Sequence, residues 1–293
     1  MADHSLTIIA RRPHLFLAVL ILIWGLGYPV MKIGLQYAPP LLFAGLRAVI
    51  GALFLTTLAI ANRDTIELRL TWPALTVSTL FNVGLFFGLS TISVLYLPAG
   101  LASVLLYIQP IVVGLLAHWL LGEQLTSKKL AGLIIGFIGV TLISYRGIAG
   151  DVSVYGVVMA LLSALAWAIG TVALKRANPQ SVYWFIALPF LVGGLMIMGS
   201  GYLFGERWSD IVWDLAFLAS LTWGSIIGLA CSWLIWLGLI KTIDATRVSA
   251  NTFLVPLVSV GVGYFFLGES LSWALATGGA LVIYGVYLVN AQP

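Results

Sequence analysis

The chain has 293 residues, of which 61% are hydrophobic and only 8% charged, with a formal net charge of +4 and a mean hydropathy of +1.09. A soluble domain carries about 25% charged residues, so a water-soluble core is excluded and the class is an integral membrane protein. No cluster of Lys and Arg marks a nucleic-acid-binding face, and the single cysteine, Cys231, excludes an intrachain disulfide or a cysteine-based metal site. No metal or cofactor is expected.

A helix needs about 20 apolar residues to cross a bilayer. In chain order ten stretches qualify: 14–34, 41–61, 72–94, 99–121, 129–146, 154–174, 182–204, 214–238, 247–267 and 271–290. The first follows Arg11 and Arg12. A cleaved signal would have an apolar region of about 7–15 residues ending in small side chains, whereas this one runs on through Tyr28, Pro29 and Lys32; it reads as a retained span. The breaks carry Pro, Gly, Asn or charge, as at Pro39-Pro40, Asn62-Arg63-Asp64, Gly122-Glu123, Asn178-Pro179, Gly205-Glu206-Arg207 and Gly268-Glu269. Barrel strands alternate apolar and polar residues, and these runs are apolar on all sides. The predicted fold is all-α, with ten transmembrane helices.

Lys and Arg set the orientation. With the N-terminus in the cytoplasm, the inner segments hold ten of them: Arg11, Arg12, Arg63, Arg69, Lys128, Lys129, Lys175, Arg176, Lys241 and Arg247. The outer segments hold three, Lys32, Arg146 and Arg207, beside the acids Glu206, Asp210 and Asp214; Arg47 lies inside a span. Both termini are therefore expected in the cytoplasm.

Residues 105–125, LLYIQPIVVGLLAHWLLGEQL, and residues 251–271, NTFLVPLVSVGVGYFFLGESL, carry Pro, Gly and Glu 146 residues apart. The register holds without a gap from 98–144 to 244–290, matching Ser103 to Ser249, Pro110 to Pro256, Gly132 to Gly278 and Gly139 to Gly285. Near the start of each half the offset is 143, pairing Gly27 with Gly170, Lys32 with Lys175 and Gly51 with Gly194. Each half holds five spans. An odd number inverts the second half in the membrane, the architecture many secondary transporters use for alternating access. Pro110 and Pro256 interrupt spans 4 and 9 at matching depth. A mid-helix proline removes one backbone bond and bends the helix, so the pair reads either as hinges or as packing kinks.

The stretches WGLGYPVMKIG in span 1, FAGLRAVIGALFL in span 2, and the LLGEQL and FLGESL endings of spans 4 and 9 resemble the drug/metabolite transporter superfamily. Their order identifies the chain with the ten-helix proteins built from two EamA-type repeats, here 14–146 and 154–290, and it is similar to the YddG-type amino-acid exporters. The resemblance implies a monomeric bundle in which spans 1, 3, 4, 6, 8 and 9 surround a central cavity, with spans 5 and 10 behind. It also implies export of small metabolites across a bacterial inner membrane.

Candidate substrate contacts follow from helical spacing. In span 3, Ser78, Asn82, Phe86 and Ser90 fall four apart, so they share one face. In span 4, Ser103 and Tyr107 precede Pro110, and their second-half counterparts are Ser249 and Phe253. Gln109 and Asn251 could hold an amino or carboxyl group, or satisfy carbonyls freed by the kinks. Trp24 and Tyr28 share a face of span 1, Trp167 and Thr171 one of span 6, and Trp233 and Trp236 lie on span 8. These aromatic walls suit small apolar or aromatic zwitterions, whereas Trp72, Trp119, Trp208 and Trp273 read as interface residues. Arg47 reads as a snorkelling side chain. All ten acids lie in loops, termini or span ends, so no intramembrane carboxylate relay for protons is evident. An intramembrane enzyme would need an acid/base pair or metal cluster at bilayer depth. A channel would need no paired hinges. A transporter is the expected class.

Overall fold

The computed structural model describes residues 9–97, 99–144, 153–179, 181–267 and 273–291, and every regular element among them is helical. In chain order these are α1 (Pro13–Gly34), α2 (Pro40–Ala61), α3 (Leu68–Val77), a π-helical segment π1 (Ser78–Leu85), α4 (Phe86–Tyr96), α5 (Ala99–Leu106), α6 (Gln109–Leu121), α7 (Ser127–Ile143), α8 (Val154–Ala177), α9 (Val182–Leu203), α10 (Leu215–Ser225), a second π-helical segment π2 (Ile226–Cys231), α11 (Ser232–Thr242), α12 (Ala245–Asn251), α13 (Leu254–Leu267) and α14 (Trp273–Asn290). Eight helical stretches among the described residues are long and apolar enough to cross a membrane. The expected spans 5 and 9 fall short of that length. α7 has 17 residues, and the ninth stretch is split into α12 and α13.

The splits sit beside the two prolines. Helix α5 ends at Leu106 and α6 begins at Gln109; α12 ends at Asn251 and α13 begins at Leu254. Each gap lies two to four residues ahead of its proline, because Pro110 and Pro256 have no N–H to return to the preceding turn. Tighter i to i+3 bonds bridge the gaps: Ile108 N donates to the Leu105 carbonyl at 3.3 Å, and Val255 N donates to the Thr252 carbonyl at 3.0 Å. The latter carbonyl is the one Pro256 cannot serve. At the far end of α6, Gly122 adopts φ 71°. Its left-handed turn stops the helix and lets Glu123 N donate to the Ala117 carbonyl at 3.2 Å. The matching Gly268 lies outside the described residues.

The helices group into two compact units, Met1–Gly88 with Ala173–Thr242 and Leu89–Val172 with Ile243–Pro293. Each unit draws on both halves of the sequence. In the first unit α2 and α9 pack as an antiparallel pair. A Cβ on Gly45 would lie 2.7 Å from the Gly194 carbonyl oxygen, so only glycine allows this approach. The ends are tied reciprocally. Glu206, just past α9, accepts from Leu41 N at 3.0 Å and Leu42 N at 2.7 Å at the start of α2. Asp64, just past α2, accepts from Ser181 Oγ at 2.8 Å, and its carbonyl accepts from Trp184 Nε1 at 2.9 Å, at the start of α9. These carboxylates satisfy N–H groups or caps that a helix start leaves open. Phe43 and Phe217, ring centroids 5.8 Å apart, are buried together with Leu42, Ile211 and Leu221.

In the second unit α7 and α14 form the corresponding antiparallel pair. A Cβ on Gly132 would come within 2.7 Å of the Gly285 carbonyl oxygen, and one on Gly139 within 2.6 Å of the Gly278 carbonyl oxygen. Helices in lipid associate through such close backbone approach, since lipid tails supply no hydrophobic drive between them.

Candidate substrate-binding residues

Within the first unit, Trp233 packs edge-on to Phe190 at 5.1 Å, and both line a narrow crevice with Ser78, Leu174, Phe185, Ile186, Pro189 and Leu237. Trp24 packs against the fully buried Trp236 at 5.3 Å. Trp233 is buried as well. The side chain of Tyr28 lies outside the described residues. Ser78 and Asn82 are buried at 3% and 0% exposure.

The stretch that carries Ser78, Asn82, Phe86 and Ser90 is not a regular α-helix throughout. Residues 78–85 are π-helical, with i to i+5 bonding that changes the angular step per residue. Ser78 and Asn82 are buried while Phe86 and Ser90 are only half-buried, and the Phe86 ring rests on Phe87 at 5.1 Å. The segment π2 at 226–231 interrupts the eighth helix at the corresponding place, Leu85 and Cys231 being 146 residues apart. Neither π-segment has a signal in hydropathy, because a π-turn keeps the same apolar composition as its neighbours.

Arg47 lies in the first unit too. Its guanidinium Cζ stands 5.5 Å from the centre of the Phe43 ring, one turn nearer the start of α2. A Cβ on Gly224 would lie 2.9 Å from Arg47 Nε, so this glycine leaves the arginine its space. The side chain leans toward the start of α2, and its Nε is buried with no hydrogen-bond partner.

The second unit holds Ser103, Tyr107, Gln109, Trp167, Thr171, Ser249, Asn251 and Phe253. The Tyr107 and Phe253 rings are 6.5 Å apart, and a Cβ on Gly114 would meet Thr246 Cγ2 at 3.3 Å. Moving seven residues forward from Tyr107 thus matches moving seven back from Phe253, so α6 and α12 run antiparallel. In that register Gln109 is level with Asn251. Asn251 Nδ2 donates to the Arg247 carbonyl at 2.7 Å and to Asn290 Oδ1 at 3.3 Å, so its amide is held by the protein itself. Gln109 Oε1, Thr171 Oγ1 and Ser249 Oγ are buried with no hydrogen-bond partner. An unmet buried polar group costs about 1–3 kcal/mol, and three in one unit are polar capacity that the fold itself does not use. Trp167 is buried at 3% exposure and Ser103 is half-buried.

Sequence reasoning treated Glu123 only as a mark of the helix break. In the structure it caps α12, accepting from Ala245 N at 2.8 Å, Thr246 N at 3.2 Å and Thr246 Oγ1 at 2.8 Å. Beside it Lys129 Nζ meets Asp244 Oδ2 at 2.9 Å, and Arg247 Nε lies 3.5 Å from the same oxygen. The expected interface tryptophans are all exposed, Trp72 at 61%, Trp119 at 70%, Trp208 at 47% and Trp273 at 88%.

The family model described as the EamA-like transporter family matches residues 11–145 and again 154–291. A Bacillus subtilis (strain 168) protein named Uncharacterized transporter YvbV is 40% identical over 282 residues, 96% of this chain and 92% of its own. Proteins named Probable amino-acid metabolite efflux pump are similar as well. The one from Salmonella typhimurium is 29% identical, covering 93% of both chains, and the one from Escherichia coli (strain K12) is 27% identical, covering 95% of both. A solved protein structure superposes with a TM-score of 0.83 at 20% identity, over 94% of this chain and 95% of its own, a likeness of fold. Since one transporter-family model accounts for both halves of its sequence, this multi-pass membrane chain belongs to the EamA-like transporter family of the drug/metabolite transporter superfamily.

Proposed function

We propose that the protein is a secondary transporter that exports small metabolites, first among them amino acids with aromatic or hydrophobic side chains, across the cytoplasmic membrane by alternating access. In this reading ten spans form two inverted repeats, 14–146 and 154–290. Both termini lie in the cytoplasm, and the protein works as a monomer without a cofactor.

The observation that carries the reading is the reciprocal glycine contact of α7 and α14. Gly132 meets Gly285 and Gly139 meets Gly278, while Gly278 and Gly285 are themselves the repeat counterparts of Gly132 and Gly139. Residue i touching the counterpart of j, and j the counterpart of i, is the signature of a two-fold relation. The antiparallel course of α7 and α14 supports reading the second half as inverted against the first, the architecture many alternating-access carriers use. The helix breaks ahead of Pro110 and Pro256 fall at matching places and serve as the hinges. The names of the Salmonella and Escherichia coli relatives, together with the aromatic walls and uncharged polar groups described above, favour amino acids as cargo.

Purified protein in liposomes tests this by counterflow. Saturable exchange of labelled phenylalanine, tryptophan or leucine is expected. Exchange of nucleosides or cationic drugs instead would move the protein to another branch of the same superfamily, and unsaturable flux without counterflow would make it a channel. In the Pro110→Ala, Pro256→Ala double variant, substrate binding should persist while exchange slows several-fold; exchange at the wild-type rate would return both prolines to packing.

A further inference from the structure

Two chain reversals in the first unit use the left-handed region without glycine. Arg63, just past α2, has φ 52°, and Asn178, just past α8, has φ 41°. Asparagine tolerates this conformation, but an arginine there carries a steric cost that glycine escapes. The backbone around Arg63 is pinned. Its own N–H donates to the Ile60 carbonyl at 3.0 Å, and Asp64 N donates to the Ala59 carbonyl at 2.8 Å. The Asp64 side chain and carbonyl in turn accept from Ser181 and Trp184, and Lys241 Nζ donates to the Pro179 carbonyl at 2.7 Å. The two reversals and the end of α11 are thus tied together, and the Arg63 side chain stands exposed beside them. Arg176 is in the last turn of α8, two residues before Asn178, and Arg69 is in the first turn of α3. All three arginines are exposed, and none has an ion pair or a side-chain hydrogen bond among the described residues. Trp72, three residues beyond Arg69, is exposed too, and tryptophan near a span end favours headgroup depth. In the second unit, by contrast, Lys129 and Arg247 both close on Asp244 at the start of α12.

We propose that the end of the first unit where α2 stops and α9 starts binds the headgroup of an anionic phospholipid, with Arg63 and Arg176 as its phosphate contacts and Arg69 beside them. A guanidinium grips a phosphate through paired N–H donors, and cations just outside a membrane span draw anionic lipid. The segments that meet here bring five cations, Arg63, Arg69, Lys175, Arg176 and Lys241, against two acids, Asp64 and Glu67, and the Asp64 carboxylate is already engaged by Ser181. A zwitterionic headgroup brings its own cation and gains little from this excess, whereas a net negative headgroup offsets it. The left-handed Arg63 fits the same role: glycine would make the turn at less cost but would bring no charge to it.

The test melts the full chain in a neutral detergent, with phosphatidylglycerol or phosphatidylcholine of the same acyl chains added at equal mole fraction. Phosphatidylglycerol should raise Tm by about 3 °C or more over phosphatidylcholine, the scale of a bound ligand's effect. Arg63→Gly should lose about half of that difference or more, while its Tm in phosphatidylcholine holds or rises because the left-handed turn is relieved. Arg176→Gln should lose a similar share. Two exposed cations elsewhere serve as controls, Lys128 in the second unit and Arg207 past the opposite end of α9; Lys128→Gln and Arg207→Gln should keep the difference whole. Equal melting of wild type in the two lipids overturns the proposal. So does an unchanged lipid difference in both Arg63→Gly and Arg176→Gln. A loss as large in either control makes the effect one of general charge and overturns the site. Inorganic phosphate reproducing the shift in phosphatidylcholine overturns the lipid and leaves a site for free anions.

Discussion

Both units bring an antiparallel helix pair together through glycine, Gly45 against Gly194 in the first, and they differ in how the helix ends are tied. In the first, α2 and α9 are joined at both ends by carboxylates, Glu206 onto Leu41 and Leu42 and Asp64 onto Ser181. In the second, α7 and α14 are joined along their middles by glycines spaced seven apart, with a built Cβ only 2.6–2.7 Å from the facing carbonyl oxygens. The polar ties of the second unit lie elsewhere, where Glu123 and the Lys129–Asp244 pair hold the start of α12. The comparison teaches that both pairs keep antiparallel geometry and a close glycine contact, while the polar ties are particular to each unit.

The largest effect is expected from the glycine interface. Gly139→Leu would drive a side chain into the Gly278 carbonyl and Val282, whose backbone cannot yield cheaply. A loss of roughly 3 kcal/mol, at the upper end of overpacking costs, should appear as a large drop in Tm in detergent. Gly199→Leu, on α9 with nothing within 4 Å of a built Cβ, should leave Tm nearly unchanged. Equal losses at the two positions would break the comparison.

Next comes the end tie. Glu206→Ala strands two N–H groups at the start of α2 and should cost about 1–2 kcal/mol, the scale of a helix cap. Glu206→Gln should recover part of that, since an amide oxygen still accepts one bond. A neutral Glu206→Ala would mean that the glycine contact alone secures α2 and α9.

The ion pair gives the most asymmetric effect, and one of its two variants the smallest of all. The Lys129 side chain is 10% exposed and that of Asp244 37%. Asp244→Asn leaves an ammonium enclosed and should cost more, on the order of 1–2 kcal/mol, because a buried charge without its partner is expensive. Lys129→Met leaves a carboxylate that water can reach and should cost under about 1 kcal/mol. Thermal melts of the two variants side by side check the ranking, and the reverse order would show that Asp244 rather than Lys129 is the enclosed partner.

Much of this was legible without coordinates. Hydropathy alone places a helix at Pro40–Ala61 and at Val182–Leu203, because the bilayer sets a length and the chain has no other use for twenty apolar residues in a row. The prolines mark where spans 4 and 9 break, because a missing N–H is a local fact. The belt tryptophans Trp72, Trp119 and Trp273 follow from their places at span ends, the same kind of local fact. Other features needed the third dimension. The π-turns at 78–85 and 226–231 leave no mark in composition. Glu123 and Ala245 are 122 residues apart, as their hydrogen bond requires the fold to reveal. That Asn251 is bonded while Asn82 is not depends on neighbours from distant elements, Asn290 among them. The sequence by itself determined the membrane class, eight of the spans and the doubling of one family pattern, since these rest on composition and periodicity along the chain. Only the tertiary structure decided which polar groups are spent on the fold and which are left over, because partnership is a property of pairs brought together by folding.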